Sequence, residues 1–173
     1  MHDFKINYGN IKTYDVGDGE GIRVSLFVSG CDFHCKECHN SEAWDYNYGD
    51  NFTQTTLNLL KHSVSESYIS GLSILGGEPL APKNREDVFE IIREVKKEFP
   101  NKTIWLWSGY TFETIKEKNI IPIDVLDKID VLVDGLFEIE KRDLSLKYRG
   151  SRNQRVIDIK KSLETDTIVN YCE

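Results

Sequence analysis

The sequence predicts an α/β fold, an open partial (βα) barrel built on a parallel sheet. Apolar residues along the chain alternate between a strand period of two and a helical period. Strands interleaved with helices pair in parallel, because parallel neighbours need crossover connections. At 173 residues the chain holds too few such units for a closed eight-stranded barrel, which typically takes about 250.

The elements follow in order. Lys12 to Val16 reads as an N-terminal strand. Ile22, Val24, Leu26 and Val28 then alternate with Arg23, Ser25, Phe27 and Ser29, the pattern of a first core strand. Leu57, Leu60 and Val64 share one helical face, with Thr53 or Thr55 available as the cap. Ile69 to Leu75 forms a second core strand. Val88, Ile91, Ile92, Val95 and Phe99 make a helical stripe that Pro100 stops. Ile104 to Trp107 is a third strand, followed by a short helix from about Thr111. Ile129 to Val133 is a fourth, and Thr167 to Val169 a last one. Without a repeat or linker, residues 1–173 are expected to form a single domain.

The strand ends read Ser29-Gly30-Cys31, Gly76-Gly77-Glu78, Ser108-Gly109 and Asp134-Gly135. Parallel α/β folds bind ligands at the carboxyl ends of their strands, so the site is expected there. With 29 acidic against 22 basic residues the net charge is −7. No basic stripe is present to neutralise phosphates, which argues against nucleic acid as a partner. No run approaches the roughly 20 apolar residues of a membrane span. Met1-His2-Asp3-Phe4-Lys5 lacks the start of a secretory signal, so a cytoplasmic location is expected.

Of the four cysteines, Cys31, Cys35 and Cys38 lie in one short segment and Cys172 stands far away. A secreted scaffold would spread its cysteines to staple loops; a tight cluster holds a metal or does redox chemistry. A four-iron cubane ordinarily takes four cysteines. Three leave one iron open to a small molecule, as catalytic zinc keeps an open position. Gly30 lets the backbone approach the cluster, and Lys36 can offset its charge. The alternative is a structural zinc site completed by His34, His39 or Cys172, although such sites usually employ two paired ligand elements. Otherwise Cys172 is a bystander thiol.

Cys-x-x-x-Cys-x-x-Cys after a first strand, with Gly76-Gly77-Glu78-Pro79 after a later one, resembles the radical S-adenosylmethionine superfamily. A longer set of blocks is narrower: Asp18-Gly-Glu-Gly-Ile-Arg23, Leu26-Phe-Val-Ser-Gly-Cys31, Cys38-His-Asn40, Trp107-Ser-Gly-Tyr110, Val133-Asp-Gly135 and Arg149-Gly-Ser-Arg-Asn-Gln-Arg-Val-Ile-Asp158. Together they resemble the family of anaerobic ribonucleoside-triphosphate reductase activating proteins.

The resemblance implies one [4Fe–4S] cluster on Cys31, Cys35 and Cys38, with S-adenosylmethionine as second cofactor. Its amino and carboxylate groups would chelate the open iron, and Glu78 would accept from the ammonium. Gly76 and Gly77 would let the backbone approach the ligand, with Ser108 at its carboxylate or ribose and Asp134 in a similar role. Many superfamily members carry an aromatic residue where this chain has Glu37. Adenine contacts then fall to backbone groups around Glu37 and Cys38, or to His39. Reductive cleavage would give methionine and a 5′-deoxyadenosyl radical, which takes hydrogen from a glycine of the reductase. The partners implied are that reductase and an electron donor such as flavodoxin or ferredoxin. An open barrel leaves its reactive face uncovered, which favours a polypeptide substrate. The competing functions are a radical enzyme acting on another glycyl-radical protein or a small molecule, and a zinc-binding adaptor.

Other residues receive structural expectations. Asp18 and Arg23 are expected to form an ion pair, and Trp105 and Trp107 to pack. Arg149, Arg152 and Arg155 form a basic patch for which the partner, a nucleotide and solvent are the alternatives, solvent being the favoured one for lone arginines.

Overall fold

A computed structural model of the chain describes residues 1–38 and 41–172. It contains one seven-stranded sheet. In chain order the strands are β1 (Asn7–Asp15), β2 (Arg23–Val28), β3 (Asp50–Asn51), β4 (Gly71–Gly76), β5 (Thr103–Ser108), β6 (Val131–Asp134) and β7 (Arg155–Asp158). They lie in the order β3-β1-β2-β4-β5-β6-β7. The central four, β2, β4, β5 and β6, are parallel neighbours. β1 and β7 join the two sides antiparallel, and β3 pairs antiparallel with β1. The sheet is therefore mixed and does not close, where the sequence predicts a parallel one. The short connection from β1 to β2 lets them meet antiparallel.

The helices are α1 (Gln54–Val64), α2 (Arg85–Glu98), α3 (Phe112–Glu117), α4 (Ile123–Leu126) and α5 (Ile159–Thr165). Thr53 caps α1: its side chain accepts from Thr56 N while Thr56 returns the bond, satisfying two amides that lack helical partners. Leu57, Leu60 and Val64 of α1 pack with Val88, Ile91, Ile92 and Val95 of α2 in the main core. That core includes Val24, Leu26, Val28, Leu72, Ile74, Ile104, Leu106 and Leu132 from one sheet face. Because strand side chains alternate in direction, Trp105, Val131, Val133 and Val156 form a second cluster on the other face, joined by Trp107, Tyr148 and Cys172.

Several expectations change. The strand expected at Thr167–Val169 is absent; β7 takes that place, and Asn170 contributes only an isolated bridge to Ile157. Asp158 N donates to Val169 O and Tyr171 N to Val156 O, so this tail covers the β7 edge. Cys172 packs on the second cluster instead of standing apart. Arg23, buried at the start of β2, does not pair with Asp18. Its guanidinium donates to Ser73 Oγ at 2.7 Å, Thr103 Oγ1 at 2.9 Å and the carbonyls of Glu20, Leu72 and Thr103, and it lies over the Trp105 ring. Burial lowers its pKa to about 10.

Candidate functional site

The carboxyl ends of β2 and β4 are joined through backbone. Gly77 N donates to Val28 O and Glu78 N to Gly30 O, each at 2.8 Å. Gly76 stands at φ +111°, and a side chain there would strike the backbone of Val28. One at Gly77 would meet the carbonyls of Gly30 and Ala43. Both glycines are thus required by the close approach of two strand ends. The loop carrying the cysteines is held on its other side by Gly30 N donating to Ala43 O at 2.7 Å and Cys31 N to Trp44 O at 3.2 Å.

Asn84, 1% exposed, fastens the same junction. Its Nδ2 lies 3.1 Å from Ser29 O, 3.3 Å from Gly30 O and 3.0 Å from Glu78 O. Although it occupies the N-cap position of α2, its side chain makes no cap bond; the amide is spent on the two loops.

A cavity of about 410 Å³ opens where these ends meet, within the roughly 300–1,000 Å³ range of small-ligand sites. Cys31, Cys35, Cys38, Gly76, Gly77, Glu78 and Ser108 all line it. Glu37 does not: it is exposed, at φ +60°. His39 lies outside the described residues. Asp134 is 1% exposed and engaged elsewhere, accepting from Arg155 Nε at 3.0 Å, Arg155 Nη2 at 2.6 Å and Phe112 N at 2.8 Å. His34 is exposed and stacks on Trp44 with ring centroids 4.5 Å apart.

Glu78 is 3% exposed and tied to its own fold. Its Oε2 accepts from Leu80 N at 2.9 Å and Ser108 Oγ at 2.8 Å, and its Oε1 from Gly109 N at 2.7 Å. The carboxyl thereby ties the loop after β4 to the end of β5. Burial pushes its pKa up to about 7 despite these donors. Burial also raises the thiols of Cys31 and Cys35.

Trp44, Asp18, Arg149 and Gln154 also line the cavity. Sequence pattern gave none of them a place there, although Asp18, Arg149 and Gln154 stand in singled-out blocks. Trp44 Nε1 is buried without a hydrogen-bond partner among the described residues. Such a donor is costly unless an acceptor arrives, and cluster sulfur or a bound ligand supplies acceptors. Among the described residues, no three His, Cys, Asp or Glu side chains converge as the ligands of one ion would. Thiolates on separate irons of a cubane do not converge on one atom. Three thiols and an orphaned donor around one cavity fit an iron–sulfur cluster.

Asp18 belongs to a carboxyl pair. Burial and the neighbouring Asp15 carboxylate push Asp18 up to about 7. Burial also raises Asp15, but hydrogen bonds from Asp18, Ser25 and Gly17 outweigh it and hold Asp15 below the usual carboxylate range.

The fold and the cysteine-lined cavity describe an iron–sulfur protein, and comparison with known proteins agrees: the family described as "4Fe-4S single cluster domain" matches residues 17–157. The anaerobic ribonucleoside-triphosphate reductase-activating protein of Enterobacteria phage T4 is 42% identical over 153 residues, covering 87% of this chain and 93% of its own. Its namesake in Escherichia coli K12 is 38% identical, covering 87% and 97%. That of Vibrio cholerae is 40% identical over 151 residues, covering 86% and 96%. The chain belongs to the family of anaerobic ribonucleoside-triphosphate reductase-activating proteins. Among the described residues, no helix is long and apolar enough to cross a membrane.

Proposed function

We propose that this protein activates an anaerobic ribonucleoside-triphosphate reductase by generating a glycyl radical on it. Cys31, Cys35 and Cys38 would hold a [4Fe–4S] cluster with one iron open to S-adenosylmethionine. The supporting observation is the single cavity at the strand ends, lined by all three cysteines and by Gly76, Gly77, Glu78 and Ser108. When bound and reduced, the cluster would supply one electron to break the C5′–S bond of S-adenosylmethionine, which would give methionine and a 5′-deoxyadenosyl radical able to take a hydrogen atom from a reductase glycine.

The chain's own residues position and shield. Gly76 and Gly77 bring the β4 end against the cysteine loop, so ligand and cluster share one wall. Glu78 retains a lone pair on Oε1 beyond its bond from Gly109 N, enough to accept from an ammonium group. A cation there returns the carboxyl to its charged form. Backbone groups around Glu37 and Cys38, or His39, remain the proposed adenine contacts. The unclosed sheet, read as a partial barrel within one domain, leaves an opening that a reductase loop can fill, excluding water from the radical. A cytoplasmic location and reduction by a flavodoxin or ferredoxin complete the reading.

The test is an anaerobic assay of reconstituted protein with dithionite and S-adenosylmethionine, with and without the host's reductase. The proposal predicts 5′-deoxyadenosine and a glycyl radical signal on the reductase. 5′-Deoxyadenosine without that signal on any added reductase would reject the activase role, and zinc in place of iron would reject the cluster.

A further inference from the structure

The structure separates the three arginines that the sequence groups as one basic patch. Arg155 is clamped between Asp134 and Glu113. Arg152 is exposed. Arg149 is half-buried, lines the cavity and forms no ion pair among the described residues.

The Arg149 side chain is held from within its own loop. Its Nη1 donates to Gln154 O. Gln154 Oε1 accepts from Gly150 N at 3.0 Å and Ser151 N at 3.1 Å, and Gln154 Nε2 donates to Gly135 O at 3.0 Å. On the other side, Trp107 Nε1 donates to Tyr148 O at 2.7 Å. Tyr148 itself stands at φ +68°, an unfavourable conformation for a bulky side chain that persists where surrounding bonds fix it. Both chain neighbours of Arg149 are therefore anchored, and most of its N–H fork is left for a ligand.

The other charged side chains among the residues lining the cavity are Asp18 and Glu78, both acidic. Arg149 is thus the one basic side chain among the described residues that line the cavity. Asp143 feels the Arg149 charge without an ion-pair contact. A partly desolvated guanidinium with no carboxylate paired to it among the described residues is half of a charge-assisted pair, and its planar fork matches a carboxylate. We propose that Arg149 binds the carboxylate of a ligand that enters this cavity. Two sources carry that group: the methionine part of S-adenosylmethionine, or an acidic side chain of the reductase segment filling the opening. The assignment rests on the proposed function and adds a residue to its site.

The test uses cluster-loaded, full-length protein and equilibrium binding by calorimetry. Wild type, Arg149→Gln and Arg149→Lys are titrated with S-adenosylmethionine, with its decarboxylated analogue and with the reductase. Arg149→Lys retains the charge and guards against a loop defect in Arg149→Gln. If the methionine carboxylate is the ligand, Arg149→Gln binds S-adenosylmethionine about tenfold or more weakly. Its preference over the decarboxylated analogue then shrinks by a similar factor without vanishing, since the carboxylate would still chelate iron. Arg149→Lys recovers part of the loss, and reductase affinity is unchanged. If the partner supplies the carboxylate, reductase affinity falls by a similar factor while S-adenosylmethionine binding is unchanged. Both affinities within twofold of wild type in both variants would overturn the assignment. Wild type binding neither S-adenosylmethionine nor iron would instead overturn the proposed function.

Discussion

Two loops line the cavity and are built by opposite means. The cysteine loop, Cys31 to Cys38, places two non-glycine residues, His34 and Glu37, at positive φ. Lys36 and Glu37 are exposed, and burial raises the thiols of Cys31 and Cys35. The loop between β6 and β7 is instead fixed by its own side chains: Gln154 bonds Gly150, Ser151 and Gly135, Asn153 donates to Leu136 O, and Arg155 grips Asp134 and Glu113. The first arrangement suits a segment that a cluster would complete, since metal binding would then be part of its folding. The second suits a wall that must hold its shape before the ligand arrives.

That contrast fails most visibly if the cysteines are dispensable. Alanine at Cys31, Cys35 or Cys38 should abolish cluster retention and S-adenosylmethionine cleavage, whereas Cys172→Ala should spare both because Cys172 does not itself line the cavity. Iron and sulfide analysis with 5′-deoxyadenosine assay reads this; wild-type iron in Cys35→Ala would remove it as a ligand.

The opposite loop should respond in stability. Arg155→Ala leaves Asp134, 1% exposed, without its cation. Removing one partner of a buried pair costs roughly 3–5 kcal/mol, and the partial exposure of Arg155 reduces this to about 2 kcal/mol. Urea unfolding measures it, and a loss under 0.5 kcal/mol, the usual scale of a surface substitution, would show that the clamp does not hold the wall.

Asn84 bridges the contrast, since it pins the cysteine loop to the Gly76–Glu78 turn. Asn84→Leu should keep α2 but strand the Ser29 carbonyl, while Gly30 O and Glu78 O keep Glu78 N and Ala81 N as donors, costing about 1–3 kcal/mol. Cluster loss to a chelator should then be several-fold faster, while Arg155→Ala should leave that rate nearly unchanged. Equal rates in both variants would erase the distinction between the loops.

The smallest effect concerns Asp18. Its folded pKa of about 7 lies above the ordinary 3.8. Stability is therefore full below about pH 4 and falls as pH rises through 7, where the unfolded chain binds fewer protons than the folded one. Asp18→Asn should melt like wild type at pH 4 and higher than wild type at pH 8. A gap of equal size at both pH values would contradict the shared-proton pair.

Much of this was legible in residue pattern. The stripes of α1 and α2 and the alternation of β2 reflect burial against one core, which periodicity reports directly. β7 escaped because its apolar pair, Val156 and Ile157, is short and follows an arginine-rich run that reads as loop. The antiparallel flanks escaped because side-chain alternation does not distinguish parallel from antiparallel neighbours. In the site, the cysteine spacing and Gly76-Gly77-Glu78 indicated a shared location. The role of Glu78 as a clamp on the β5 end could not be read, because it depends on which amides the fold brings to it. Arg149 and Arg155 lie six residues apart in one basic block, and only tertiary partners distinguish them.

The most direct measurement of the central claim follows one hydrogen atom. Reductase prepared with α-dideuterated glycine is activated anaerobically by this protein and S-adenosylmethionine, and the 5′-deoxyadenosine is weighed by mass spectrometry. Direct hydrogen transfer puts one deuterium in each 5′-deoxyadenosine coupled to activation and leaves a glycyl radical signal whose α-hydrogen splitting collapses. Unlabelled 5′-deoxyadenosine beside a fully activated reductase would contradict it.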